Sequence, residues 1–222
     1  MGWRIKTKKD IFDPERMTLF DFETPQNNAL RFFYILPFTK NEAMIEYTIF
    51  SATLLSQAEY EQAIRIYIRD VLGIEEYSIL FEETGVIPMT DYPFQRKDNE
   101  RVMNIGTRGG LVKPSSGYAF KRMQRDAQAI VSSLETYGNP FQIKKSPSRY
   151  FFYDRLLLQI LLRQGEKMKR IFSQLFQKNP IMRIFLFLDE DASLGEDLAL
   201  ITSLPPFPFL KALLRVYVLR KI

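Results

Sequence analysis

The chain has 222 residues, 46% hydrophobic and 26% charged, an ordinary globular composition that suits one domain or one large fragment and argues against disorder. It contains no histidine and no cysteine, which excludes Ser-His-Asp and Cys-His nucleophile systems, zinc sites built on imidazole or thiolate, and disulfides. With a net charge of +5, proton chemistry must fall to carboxylates, Lys, Tyr or a cofactor.

The first ten residues are polar and basic and lack the apolar run of a secretory signal, so a cytoplasmic chain is expected. Residues 30–36 and 43–50 are rich in aromatic and β-branched residues and flank a Pro37-Phe38-Thr39-Lys40-Asn41 connection, which predicts an antiparallel pair. Ser56 followed by Glu59 is a capping box; Tyr60, Ala63, Ile64, Tyr67 and Val71 then recur at helical spacing until Gly73. Residues 77–84 read as a strand, and 101–105 as a short strand entering Gly106-Thr107-Arg108-Gly109-Gly110. A helix over about residues 116–137 is predicted from Met123, Ala127, Ile130, Val131 and Leu134, with Gly138 as its stop. Further helices are expected at about 152–163, 166–178 and 209–220. The uncharged stretch 198–210 is too short to span a bilayer and is broken by Pro205, Pro206 and Pro208.

Four stretches can carry chemistry. Glycines 106, 109 and 110, followed by a helix start capped by Ser115 or Ser116, suit a phosphate or a ring carbonyl, or else form a tight turn that binds nothing. Leu80-Phe81-Glu82-Glu83-Thr84 places adjacent glutamates on opposite faces of a strand. If either face is covered, one glutamate turns inward, where apolar surroundings raise its pKa as a general acid requires; otherwise both are solvated at a strand end. The cluster Asp189, Glu190, Asp191, Glu196 and Asp197 fails as a calcium loop and is expected to be a solvated loop with helix-start charges, and no metal site is expected. Between residues 142 and 183 lie ten basic and two acidic residues, among them Lys144 and Lys145. Within that segment Met168, Ile171, Phe172, Leu175 and Phe176 form one stripe edged by Lys167, Lys169, Arg170 and Lys178. Such a helix suits an anionic membrane surface, or packs on a core with a solvated basic face; no nucleic-acid module accompanies it. The 19 Phe, 11 Tyr and one Trp fill a core or line a pocket for an apolar or cationic ligand.

Several segments match one family in order along nearly the whole chain. They are Gly2-Trp3, Phe12-Asp13-Pro14, Leu19-Phe20-Asp21-Phe22, Tyr34-Ile35-Leu36-Pro37-Phe38 and Ile45-Glu46-Tyr47-Thr48. Two longer ones follow: Phe81-Glu82-Glu83-Thr84-Gly85-Val86-Ile87-Pro88-Met89, and Ile105-Gly106-Thr107-Arg108-Gly109-Gly110 running on to Lys113-Pro114-Ser115-Ser116-Gly117-Tyr118. The chain resembles the C-terminal part of a flavin-dependent lycopene cyclase.

The resemblance implies an enzyme of carotenoid biosynthesis that closes the acyclic ends of lycopene, or a related acyclic carotenoid, into β-ionone rings. It implies FAD in reduced form with NAD(P)H as electron source, and peripheral membrane association. The implied fold is α+β or α/β: a mixed or antiparallel sheet of a flavoprotein substrate domain over residues 1–115, then a mostly helical part over 116–222. Glu82 falls on the first glutamate of the family's Phe-Leu-Glu-Glu-Thr motif and is implied as the acid/base residue, although Leu80-Phe81 replaces Phe-Leu. Gly106, Thr107, Gly109, Gly110, Pro114 and Gly117 fall on the second flavin-contacting segment, and Phe81, Tyr34 and Phe33 are implied as substrate-lining rings. The family opens with a Rossmann unit carrying GxGxxG, which this sequence lacks, so a truncated or split chain with a separate N-terminal dinucleotide-binding half is expected. A flavin-dependent isoprenoid reductase or monooxygenase, and a non-catalytic membrane-associated remnant, are the alternatives.

Overall fold

The computed structural model describes residues 1–143 and 148–218, so Lys144, Lys145 and the end of the helix expected over 209–220 lie outside the described residues. The chain divides into two units, one of residues 1–86 with 161–170, the other of residues 87–160 with 171–222. The fold is α+β: a five-stranded antiparallel sheet with a helix, followed by a mostly helical part.

In the first unit the strands are β1 (Gly2–Thr7), β2 (Thr18–Asp21), β3 (Leu30–Thr39), β4 (Glu42–Phe50) and β5 (Tyr77–Glu83), ordered β2-β3-β4-β1-β5. The expected hairpin is β3–β4, with Phe33 opposite Tyr47 and Ile35 opposite Ile45. Alternation then sends Trp3, Ile5, Phe33, Ile35, Ala43, Ile45 and Tyr47 to one face. Helix α1 (Gln57–Ile66) covers that face. Its capping box forms as expected: Ser56 Oγ accepts from the Glu59 N–H, and Glu59 Oε2 accepts from the Ser56 N–H at 2.8 Å.

The helix widens into a π turn, Tyr67–Val71, and ends at Gly73 with φ +66°. The turn lays the Tyr67 ring parallel to Phe33 at 3.7 Å, while Phe33 stacks on Tyr47 at 4.7 Å. Fully burying such a side chain is worth roughly 1.5–3 kcal/mol. The Tyr67 hydroxyl donates to Asp21 Oδ2 at 2.6 Å, and burial together with this carboxylate pushes its pKa up.

The other face is covered at the β3 end. Leu30 and Phe32 are fully buried there, as are Leu161 and Met168 of the segment 161–170. A 3-10 turn, Gly165–Lys167, carries the chain past β3. A Cβ on Gly165 would lie 2.9 Å from Ala29 Cα and 3.0 Å from Leu30 N, so only glycine fits without a backbone shift. Gly165→Val is therefore expected to destabilise the chain by about 1–3 kcal/mol, read as a lower urea midpoint with an unchanged m-value.

The second unit holds a small hairpin, β6 (Lys97–Asn99) with β7 (Val102–Met103), and α2 (Phe120–Tyr137), which Gly138 stops at φ +69°. The helical part continues through α3 (Ser148–Gln164), α4 (Met168–Lys178), α5 (Ile181–Leu188), α6 (Leu194–Thr202) and α7 (Pro206–Leu213), with a π turn at Leu214–Val218. Helices α3 and α4 each run across the division between the units. The α4 stripe is turned inward at Met168 and Ile171, and Lys169 Nζ donates to the Phe22 carbonyl at 3.0 Å.

Two expectations are corrected here. Helix α2 begins at Phe120 after Ala119, without a side-chain cap. Ser115 instead donates to Asp154 Oδ1 at 2.5 Å, and Ser116 Oγ accepts from the Tyr118 N–H. The acidic cluster is solvated only in part, because Glu190 and Asp197 are buried and paired with cations. Lys113, 2% exposed, bridges Asp154 at 3.1 Å and Glu190 at 3.0 Å, while Arg149 Nε donates to the buried Asp197 at 2.8 Å.

Burial pushes the Asp154 carboxyl up, against the opposing pull of Lys113 and the Ser115 hydroxyl. A folded pKa above the unfolded one makes this group favour the fold in acid, a contribution lost as pH rises through the folded value. Removing Lys113 leaves the buried Asp154 without its cation, while Glu190 keeps Arg122 at 3.6 Å. Lys113→Met is expected to cost about 3–5 kcal/mol near neutral pH, and less at pH 4, where Asp154 takes up a proton; chemical unfolding at the two pH values measures the difference.

Candidate functional site

The sheet face away from α1 is built by the same alternation that buries Phe33. Across it runs a row of directly opposed residues: Tyr34 on β3, Glu46 on β4, Gly2 on β1 and Glu83 on β5. The next row holds Leu36, Met44, Arg4 and Phe81. Beside Tyr34 stand Phe20 at 5.7 Å and Phe32 at 5.1 Å between ring centroids, with Phe22 and Phe50 packed on Phe32 at 6.1 and 5.6 Å. The result is a cluster of rings at one end of the sheet, with Phe32 fully buried and Tyr34, Phe20, Phe22 and Phe50 partly buried, and a half-buried carboxylate at its margin.

That carboxylate, Glu46, sits mid-strand on the central strand of the sheet. Thr48 Oγ1 donates to its Oε1 at 3.1 Å. Met44 and Glu46 close over Gly2 on the β1 side: a Cβ there would lie 3.1 Å from Met44 Sδ and 3.4 Å from Glu46 Cβ. The Arg4 guanidinium lies 4.7 Å from the Phe38 ring and pairs with Glu42.

The residues expected from sequence fall in different places. Glu82 stands opposite Trp3, in the α1-side row of Ile35, Ile45 and Trp3, and is exposed at the end of β5. Glu83 is also exposed, on the other face, so the pair matches the reading of two solvated glutamates at a strand end. Phe81 and Tyr34 lie on the open face, Phe81 being 54% exposed. Phe33 is fully buried between Tyr47 and Tyr67, so its ring is spent on the core rather than offered to a ligand. Sequence reasoning passed over Glu46. The signal was a lone charge in the middle of an apolar strand, between Met44 and Thr48, which alternation puts on the face opposite Ile45 and Tyr47.

The glycine loop lies in the second unit. Its glycines are required by its own geometry. Gly106, Gly110 and Gly117 have φ of +57°, +74° and +77°. A Cβ on Gly109 would lie 2.5 Å from the Asn104 carbonyl oxygen. The N–H groups of Gly109, Gly110, Leu111 and Gly117 are taken by Ile105, Thr107, Gly106 and Lys113 carbonyls. What the loop still offers a ligand is the start of the 18-residue helix α2, which has no side-chain cap and no acidic residue in its first turn; its Lys121 and Arg122 pair with Asp189 and Glu190. The Lys113 bridge and the Ser115 bond to Asp154 anchor the loop to α3. These residues fit the polar, negatively charged part of a dinucleotide cofactor.

Residues 1–214 match the family described as "Lycopene cyclase protein". The chain is 33% identical over 145 residues to neoxanthin synthase, chloroplastic, of Solanum tuberosum, covering 60% of this chain and 28% of that protein. It is 35% identical over 148 residues to capsanthin/capsorubin synthase, chromoplastic, of Capsicum annuum, covering 61% and 29%. It is 31% identical over 147 residues to lycopene beta cyclase, chloroplastic/chromoplastic, of Narcissus pseudonarcissus, covering 61% and 29%. The match thus spans under a third of the length of these curated relatives. No solved structure matches. A family match over nearly the whole chain places this protein in the lycopene cyclase family.

Proposed function

We propose that this chain supplies the substrate face and a flavin-contacting loop of a carotenoid cyclase acting on lycopene or a related acyclic carotenoid. The observation that carries the reading is the half-buried Glu46 opposite the partly exposed Tyr34, with Phe20 beside that ring, in a chain of this family. The reaction is an isomerisation. A carboxylic acid delivers its proton to a terminal double bond, leaving a tertiary carbocation; the neighbouring double bond attacks it and closes the ring. Loss of a ring proton to a carboxylate then restores neutrality. Ring faces such as those of Tyr34 and Phe81 favour the cation, and an apolar surface keeps water from trapping it.

Two carboxylates compete for the proton-transfer role. The resemblance points to Glu82, and the geometry favours Glu46, which shares its face with the aromatic rings and is shielded where Glu82 is exposed. Glu46→Gln and Glu82→Gln decide between them when the chain is co-expressed with a dinucleotide-binding half in cells that accumulate lycopene. Loss of a general acid costs on the order of 10²–10⁴ in rate. Glu46→Gln is expected to leave lycopene uncyclised, while Glu82→Gln keeps most of the cyclic product. The reverse pattern assigns the role to Glu82, and two active variants would remove the carboxylate mechanism.

Gly106, Thr107, Gly109, Gly110, Pro114 and Gly117, with the start of α2, would hold the flavin. Reduced flavin, when bound, supplies negative charge that favours cationic species. No GxGxxG occurs in the sequence, so the adenosine half of the cofactor needs a site that another segment supplies. The purified chain alone is accordingly expected to carry little flavin. Stoichiometric absorbance near the flavin bands would refute that, and its appearance only on adding the second half would support it.

A further inference from the structure

The first unit holds a cavity that the reaction proposed above does not use. It measures about 290 Å³ and is walled by the segment between β2 and β3, by α1 and by the π turn. That places it at the small end of ligand pockets, which run from roughly 300 to 1,000 Å³, and makes it too small for a carotenoid chain. Tyr47 and Tyr67 line it, so it lies on the sheet face opposite Tyr34 and Glu46.

Arg31 is the group in this cavity that lacks a counter-charge. Its guanidinium donates to the Tyr47 hydroxyl at 3.4 Å, while its buried Nε has no hydrogen-bond partner and no carboxylate pairs with it among the described residues. Its backbone is fixed by the Gln26 amide, which accepts from the Arg31 N–H at 3.1 Å and donates to the Arg31 and Thr24 carbonyls at 2.8 and 3.1 Å. A cation drawn under cover without an anion is costly, and rigid placement of that cation is what a binding site requires.

Two exposed carboxylates, Glu23 and Glu59, line the same cavity. The Ser56 hydroxyl and N–H hold the Glu59 carboxyl below its usual range, with Arg31 adding to the pull. A phosphate would set two negative charges beside these carboxylates, and a simple amine would leave Arg31 unpaired. A molecule carrying both signs satisfies all three groups. The rest of the wall is apolar, with Leu55, Ala63, Ile66 and Val71. Ile66 and Val71 stay 43% and 42% exposed, where Ile64 and Ile68 of the same stretch are fully buried.

We propose that this cavity binds a small zwitterion with an apolar side chain, an aliphatic amino acid. Its carboxylate meets Arg31 and the Tyr47 hydroxyl, its ammonium meets Glu23 and Glu59, and its side chain lies on Leu55, Ala63 and Ile66.

Isothermal titration of the purified chain with L-leucine tests this, beside isocaproate, which lacks the ammonium, and leucinamide, which lacks the carboxylate. Leucine is expected to bind saturably with a dissociation constant of about 1 mM or below. Each companion should bind about 10- to 100-fold more weakly, because it leaves a charged group of the site unpaired. Arg31→Gln should weaken leucine by the same factor, and Gln62→Trp, at an exposed lining position, should block it, both with the circular dichroism of the parent chain. The titration needs neither flavin nor turnover, so its failure leaves the cyclase reading standing. No saturable binding at about 10 mM leucine, or equal binding of isocaproate, overturns the proposal. Should Arg31→Gln fail to fold, unchanged leucine affinity in Gln62→Trp overturns it alone.

Discussion

The register between β3, β4 and β1 is the constraint on which the first unit depends. Side chains alternate along a strand with period two, so the pairing that buries Ile35, Ile45 and Trp3 under α1 also sends Tyr34 and Glu46 to the opposite face, beside Gly2. A slip of one residue would put a carboxylate into the core and expose the rings that close it. The penalty for burying an unpaired carboxylate is several kcal/mol or more, so core and open face are selected together. The Phe33 stack between Tyr47 and Tyr67 fixes that choice, because it locks β3, β4 and the π turn after α1 into one arrangement.

A different kind of constraint organises the second unit. Loops rich in glycine hold a shape only if something outside them does the holding, since glycine loses the most backbone freedom on folding. Here that support is ionic. Lys113 leaves the loop and reaches Asp154 on α3 and Glu190 beyond α5, while Ser115 reaches the same aspartate. Breaking a buried pair is far more costly than the pair is worth against an apolar substitute, which makes such a network a device for fixing one geometry rather than a source of net stability.

Local patterns were legible in the sequence and long-range partners were not. The β3–β4 hairpin, the Ser56–Glu59 capping box and the stop at Gly138 each depend on a few consecutive residues, and each forms where the spacing puts it. Helices α5 and α6, at eight and nine residues, are too short for a periodic pattern to stand out from the apolar run that contains them. Asp189 to Asp197 read as solvated because nothing within reach in sequence marks Lys113 or Arg149, dozens of residues away, as the cations that claim Glu190 and Asp197. Glu46 was passed over for a related reason. A doublet such as Glu82-Glu83 attracts notice, whereas a single charge on a central strand gains meaning only when the neighbouring strands show which rings share its face.

The absence of histidine gives these placements their chemical weight. Without an imidazole, whose unperturbed pKa lies near neutrality, proton transfer falls to groups whose roles depend on where the strands place them. The register leaves Glu46 half-buried on the face of Tyr34 and Glu82 exposed at a strand end.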